Sequence, residues 1–107
     1  MAKWTEVASE QDLPAGAKLC TNADGTPVVV CNVEGEMFAV QNVCPHAGLP
    51  LGEGGLNGKV LVCPFHGYAY NVDSGKNIDF DDDVPLTRYP IRCENGKVEV
   101  DLEAMQP

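Results

Sequence analysis

The sequence predicts an all-β protein, an antiparallel sandwich or open barrel with two loops that project from strand ends. Its segments of alternating apolar and polar residues are short and are bounded by tight turn signals. We find no helical periodicity over more than about two turns. Eleven glycines and eight prolines in 107 residues supply many turns. A chain of this length forms one hydrophobic core, so we expect a single domain, 1–107.

The N-terminal half is predicted to form four strands joined by short connections. These strands span Lys3–Val7, Ala17–Thr21, Thr26–Asn32 and Met37–Gln41. One helical turn is expected at 9–12, and turns at 22–25 and 34–36 make two hairpins. The fourth strand leads the chain directly to Cys44.

Three further segments complete the predicted β structure. Lys59–Val62 is an apolar strand that ends at Cys63, and Ala69–Val72 continues until a turn at 73–75. A last hairpin turns at 94–96, and alternation gives it one apolar face. The residues of that face are Tyr89, Ile91, Cys93, Val98, Val100 and Leu102.

The cysteines outside the projecting loops are predicted to be structural. Cys93 has the inward phase of its strand, so we expect a buried apolar thiol. Cys20 and Cys31 lie on neighbouring predicted strands and could face each other. We expect reduced core or surface thiols there rather than a disulfide, because the compartment is expected to be reducing.

The charge of the chain limits its partners. Its formal net charge is −9, whereas nucleic-acid binding requires a basic stripe and an anionic membrane attracts basic proteins. We therefore expect a protein partner with a basic docking face. The start of the chain lacks an apolar run long enough for a signal peptide or anchor, so we expect a cytoplasmic location.

Two short arms carry the metal chemistry. Each pairs a thiol with an imidazole, as Cys44-Pro45-His46 and Cys63-Pro64-Phe65-His66, and the chain has no other histidine. A structural zinc site usually places its cysteines in one arm and its histidines in the other. Mixed arms instead favour a two-iron cluster in which Cys44 and Cys63 bind one iron, and His46 and His66 bind the other. Zinc remains the alternative.

These arms resemble the Rieske 2Fe-2S signature. The pattern is C-x-H, sixteen intervening residues, then C-x-x-H followed by Gly67, with the run Leu51-Gly52-x-Gly54 between the arms. The resemblance to small, soluble Rieske ferredoxins implies one 2Fe-2S cluster. It also implies a cluster-binding part, about 42–85, inserted in a β base made of 1–41 and 86–107.

The resemblance assigns roles to residues around the cluster. Leu49 and Phe65 occupy the positions of a disulfide that high-potential relatives form between their loops, so that bond is absent here. Tyr68 stands where those relatives have a serine that donates to sulfur, whereas Tyr70 retains the second donor or is a half-buried strand aromatic. Losing one donor predicts a low to intermediate reduction potential.

Two features of the 79–86 segment follow from the sequence. Pro85 lies in a stretch that resembles the proline loop covering the cluster in this family, and we expect it to shield sulfur from water. Asp79 and 81–83 form an acidic run, which is either a solvated loop or a surface that steers a basic partner toward the histidines.

The resemblance implies an electron carrier rather than an enzyme. An oxygenase needs a further iron bound by two histidines and a carboxylate, and both histidines are already used. One electron would pass from a flavin-dependent reductase to a terminal oxygenase that hydroxylates aromatic rings. Two alternatives are the small subunit of an assimilatory nitrite reductase, which would work with its large subunit, and a zinc-stabilised or redox-sensing interaction module.

Overall fold

The computed structural model describes residues 4–43, 50–52, 54–64, 68–79 and 85–104. In these ranges the chain forms ten strands and a 3₁₀ turn at Glu10–Asp12. The strands are β1 Trp4–Ser9, β2 Lys18–Ala23, β3 Thr26–Val33, β4 Glu36–Gln41, β5 Leu56–Asn57, β6 Val60–Val62, β7 Ala69–Asn71, β8 Arg88–Tyr89, β9 Ile91–Glu94 and β10 Lys97–Asp101.

The strands form three antiparallel sheets. A base sheet has the order β1-β10-β9, a central sheet has the order β2-β3-β4-β8, and an arm sheet has the order β5-β6-β7. This architecture confirms the predicted all-β antiparallel class. Among the described residues, no helix is long and apolar enough to span a bilayer.

Three two-residue turns set the register of the hairpins. Asn95 and Gly96 have φ values of 55° and 78°, and they join Glu94 to its partner Lys97. Two positive φ angles in succession are typical of a type I′ turn, whose twist matches that of the flanking strands. The 24–25 and 34–35 turns repeat this conformation, so the turn residues in the sequence determine three strand pairings.

Strand β3 lies at the centre of the molecule because both of its faces are buried. Val28 and Val30 point into one apolar cluster, whereas Val29 and Cys31 point into another. The base cluster comprises Leu13, Ala23, Val28, Val30, Ala39, Tyr89, Val98 and Val100. The arm cluster comprises Val29, Cys31, Phe38, Val40, Leu51, Leu61, Cys63, Tyr70, Val72 and Leu86. The central sheet therefore connects the base to the segment that carries the arms.

The chain changes sheets at Pro90, which the sequence analysis did not predict. Tyr89 pairs with Ala39 in the central sheet, whereas Ile91 pairs with Val100 in the base sheet. Pro90 has no N–H to donate to a ladder, so it suits the point where one pairing ends and another begins. The strand expected to run through 89–93 is therefore two strands, and Leu56–Asn57 is a further strand that was not predicted.

The expected burial of Cys93 is wrong. Its thiol is exposed, although the opposite residue, Val98, is fully buried. The alternation of apolar residues predicted the correct face of the sheet, since Cys93 lies opposite the buried Val98. However, β9 is the edge strand of the base sheet, and Cys93 is left exposed there. The Cys93 thiol instead donates to a Glu10 carboxylate oxygen at 3.1 Å.

Cys20 and Cys31 are free thiols, as predicted. In the central sheet Cys20 lies opposite Val29, and Cys31 lies opposite Lys18, so the two cysteines are not directly paired. Cys31 is buried and Cys20 is exposed. The division of the chain into a cluster-binding part and a base stays a prediction.

Candidate metal centre

The second arm is the tip of the β6–β7 hairpin. Val62 pairs with Ala69, and the next bond along the hairpin runs from the Cys63 N–H to the Tyr68 carbonyl at 2.6 Å. Cys63 and Tyr68 are therefore the last bonded pair of the hairpin among the described residues. The hairpin positions Cys63 at the neck of the arm and not at its tip.

Cys63 is fully buried and forms no disulfide; it lies in the arm cluster, where Leu51, Leu61 and Leu86 contribute apolar side chains. An isolated thiolate in such an interior would carry a large desolvation cost, whereas a bound metal ion compensates that charge. The donor therefore suits a metal centre that is closed to water on the protein side.

Tyr70 belongs to the same cluster as this thiol and is also fully buried. It pairs with Leu61 across the arm sheet. The expectation of a half-buried strand aromatic is therefore wrong in its burial, because the sheet and the central strands enclose the whole ring. The role of its hydroxyl as a donor to sulfur stays a prediction.

The Pro85 segment is anchored next to the arms. The Leu86 N–H donates to the Gly75 carbonyl at 2.8 Å, and the Thr87 carbonyl accepts from the Gln41 N–H at 2.8 Å. The Leu86 side chain is buried in the arm cluster with Cys63, while Pro85 is half-buried. These contacts support the predicted covering position of Pro85, which itself stays a prediction.

The base of the first arm is bonded at both ends. The Asn42 N–H donates to the Pro27 carbonyl at 2.9 Å, and the Asn42 side-chain oxygen accepts from the Gly52 N–H at 2.7 Å. Lys18 Nζ donates to the Gly52 carbonyl at 2.6 Å. Leu51, which directly precedes Gly52, is fully buried. Asn42 and Gly52, which flank the first arm in the sequence, are therefore bonded to each other.

The segment between the arms contacts the second arm directly. A Cβ on Gly54 would overlap the Val62 carbonyl oxygen and would lie 3.2 Å from Pro64 Cδ. Only a glycine lets the backbones approach this closely. The bases of the two arms are thus packed together.

Several predicted site residues lie outside the described residues. These are Cys44, His46, His66 and Gly67, together with Leu49, Phe65 and 81–83. Their ligation and their roles stay predictions. Cys63 is the predicted ligand whose surroundings the structure describes.

Lys18 and Asn42 were not among the predicted site residues. Neither residue had a local sequence signal, because their shared partner Gly52 lies 10 residues beyond Asn42 and 34 residues beyond Lys18.

Comparisons with known proteins agree with this geometry. Residues 3–90 match the model of the Rieske [2Fe-2S] domain. The chain is 38% identical over 99 residues to the ferredoxin component of biphenyl 2,3-dioxygenase from Rhodococcus jostii, with 92% of each chain covered. It is 31% identical over 100 residues to the ferredoxin component of a naphthalene 1,2-dioxygenase system from Pseudomonas putida, with 94% of this chain and 96% of that protein covered.

Solved structures agree on the fold. A chain in the complex of reduced oxygenase and oxidized ferredoxin of carbazole 1,9a-dioxygenase superposes with a TM-score of 0.84, at 33% identity and 92% coverage of both chains. The Sphingomonas yanoikuyae B1 ferredoxin superposes with a TM-score of 0.83, at 27% identity and with 98% of this chain covered. The matched span includes both arms, the buried Cys63 thiol and the packed arm bases, and the chain belongs to the Rieske [2Fe-2S] family.

Proposed function

We propose that this protein is the ferredoxin of an aromatic-ring dioxygenase system and carries one electron at a time from a flavin-dependent reductase to a terminal oxygenase. The observation that carries the proposal is the 38% identity to a dioxygenase ferredoxin component over 92% of both chains. Family membership supports an iron–sulfur cluster over zinc. The ferredoxin relatives also favour a dioxygenase system over a nitrite reductase.

We infer that Cys44 and Cys63 bind one iron, and that His46 and His66 bind the other. Bound there, the cluster supplies a one-electron redox couple. The protein's contribution is to enclose the thiolate side. Cys63 lies among buried leucines, and Tyr70 is placed in the same interior. We infer from the resemblance to Rieske proteins that the Tyr70 hydroxyl donates to a cluster sulfur, which would stabilise the reduced cluster.

Ligand replacement tests this assignment. His46→Ala, His66→Ala and Cys63→Ala are each expected to abolish the Rieske-type EPR signal after dithionite reduction, because the cluster has no substitute donor. Cys93→Ala, which removes an exposed thiol of the base sheet, is the matched control and should retain the signal. An unchanged signal in either histidine variant would refute the assignment.

We infer that the partner docks beside the second arm. Among the described residues, Ile78 is the one large apolar side chain that is exposed, and half of its surface is accessible to solvent. Its N–H donates to the Ala69 carbonyl at 2.9 Å, and Ala69 is three residues beyond His66. Asp79 follows it, with its N–H bonded to the buried Asn77 side chain at 2.9 Å. An apolar contact beside acidic residues suits a partner with a basic docking face.

We infer a reducing, cytoplasmic location. None of the four described cysteines, Cys20, Cys31, Cys63 and Cys93, forms a disulfide. Free thiols persist where glutathione and thioredoxin keep them reduced.

Reconstitution tests the electron-transfer role. The purified protein, added to a flavin-dependent reductase and a terminal oxygenase of an aromatic-ring dioxygenase system, should make product formation depend on its concentration. Product formation that is independent of the added protein across several such systems would contradict this role.

A further inference from the structure

We propose that Lys18 and Asn42 are positioning residues that hold the first cluster arm closed through a single glycine, Gly52. This inference rests on the proposed function, because it assigns the arm to the ligands Cys44 and His46. We refer to Lys18, Asn42 and Gly52 as the Gly52 clamp.

The clamp secures both polar groups of one buried glycine. The Gly52 N–H donates to Asn42 Oδ1 at 2.7 Å, and the Gly52 carbonyl accepts from Lys18 Nζ at 2.6 Å. Gly52 is buried, so either group would lose its hydration without these partners. The bond from the ammonium group is charge-assisted and is therefore stronger than one between neutral groups.

The clamp reaches across the central sheet. Lys18 lies on β2, Asn42 follows the end of β4, and the side chain of Val29 on β3 lies beneath Gly52. A Cβ on Gly52 would lie 2.9 Å from Val29 Cγ2 and would overlap Cys20 Sγ. The glycine is thus seated on the sheet with no space for a side chain. Its position is determined by three neighbouring strands.

The clamp acts on the cluster ligands through the loop that it closes. Asn42 lies two residues before Cys44, and Gly52 lies six residues after His46. A bond between 42 and 52 restricts every residue of the loop, because it removes much of the freedom of the open chain. Since Leu49 and Phe65 cannot form a disulfide between the arms, the first arm depends on such contacts at its base.

Cluster retention is the primary test. Lys18→Met and Asn42→Ala, in the cluster-loaded protein, should each accelerate loss of the visible absorption in an iron chelator by about tenfold, and should broaden the EPR signal of the reduced protein. Lys18→Arg and Asn42→Asp keep a donor and an acceptor and should restore slow loss. The double variant should lose its cluster more slowly than the product of the single effects predicts, because both residues act on one glycine.

Two matched controls separate the clamp from general effects. Lys97→Met removes the same charge from an exposed lysine of the base sheet. Asn22→Ala removes the same kind of bond, from the Gly25 N–H to Asn22 Oδ1 at 2.7 Å, in an exposed hairpin. Both should match the parent. Chelation rates and EPR signals of the clamp variants that equal those of the controls would overturn the proposal.

Amide hydrogen exchange tests the clamp without reference to the cluster. The Gly52 amide should exchange slowly in the parent and about tenfold faster in Asn42→Ala, as measured by mass spectrometry of short peptides covering 50–55. Equally fast exchange in both proteins would refute the clamp. A parent without a Rieske-type EPR signal would instead refute the proposed function, and exchange at Gly52 would still decide the clamp.

Discussion

Two of the cysteines outside the arms, Cys93 and Cys31, show how different surroundings change the pKa of a thiol. The exposed Cys93 thiol donates to Glu10 at 3.1 Å, and this bond is the main reason why its pKa is raised. The buried Cys31 thiol has a pKa raised to about 11, chiefly by desolvation, while a backbone hydrogen bond at Phe38 opposes the shift. A raised pKa leaves less thiolate, so both thiols are expected to be unreactive near neutral pH.

Replacing Glu10 should make Cys93 more reactive. In Glu10→Gln the carboxylate that favours the protonated thiol is gone, so the pKa of Cys93 should fall toward its ordinary value and alkylation by iodoacetamide at about pH 8 should accelerate. Mass spectrometry of the labelled peptide measures the rate. Glu103→Gln, an exposed acid elsewhere in the chain, serves as the control, and equal labelling rates in the two variants would contradict the role of Glu10.

Cys31 should make stability depend on alkaline pH. The unfolded thiol ionises near its reference pKa of 9.0, whereas the folded thiol keeps its proton up to about 11. The contribution is therefore complete below pH 9.0 and is lost as the pH rises through 11, by roughly 1.4 kcal/mol per pH unit. Denaturant unfolding of the parent and Cys31→Ala should give free energies whose difference shrinks over this range. A difference that stays constant would contradict the burial of a protonated thiol.

At the scale of elements, the arm bases meet at Gly54. Gly54→Ala should destabilise the protein by about 2 kcal/mol or more, because its Cβ would overlap the Val62 carbonyl oxygen and force one of the two backbones to shift. Gly55→Ala is the matched control, since a Cβ there meets nothing within 4 Å. Unfolding free energies and cluster content measure both effects. Similar values for the two variants would show that the arm bases are loosely packed.

The loop that follows β7 is expected to contribute apolar contact area to docking. Ile78→Ser should weaken oxygenase binding by about 1 kcal/mol, or roughly fivefold in Kd, because half of the isoleucine surface would be buried by the partner. Titration of the oxygenase measures Kd, while the rate of reduction by dithionite and the unfolding free energy serve as controls. Unaltered binding would place the docking surface elsewhere.

At the scale of the whole molecule, the net charge of −9 should control the rate of association. Attraction to a basic docking face accelerates encounter at low ionic strength and is screened when salt is added. The second-order rate of electron transfer to the oxygenase should fall by about tenfold or more between roughly 20 and 500 mM salt, as measured by stopped-flow absorption. A rate that is independent of salt would show that charge does not steer this encounter.

The central sheet connects the base of the molecule to the residues that hold the first arm. The fully buried strand β3 directs alternate residues into the base cluster and the arm cluster. Lys18 and Val29, which contact Gly52, lie on strands of the same sheet, and Asn42 directly follows its strand β4. The rigidity of the arm base therefore derives from sheet pairings that the hairpin turns determine.

By itself, the sequence determined the local features of this protein. The thiol and imidazole donors, their spacing and the Gly-containing turns are each contained in a few consecutive residues, so backbone preference and side-chain chemistry suffice to predict two metal-binding arms on a β fold. The net charge likewise needs only the composition.

Only the tertiary structure decided which distant residues meet. It placed Lys18 on Gly52, enclosed Tyr70 completely and left Cys93 exposed at a sheet edge. It also moved the chain from one sheet to another at Pro90. Alternation reports the face on which a side chain lies, but burial and long-range bonds depend on what packs against that face, and this is determined by the arrangement of all three sheets.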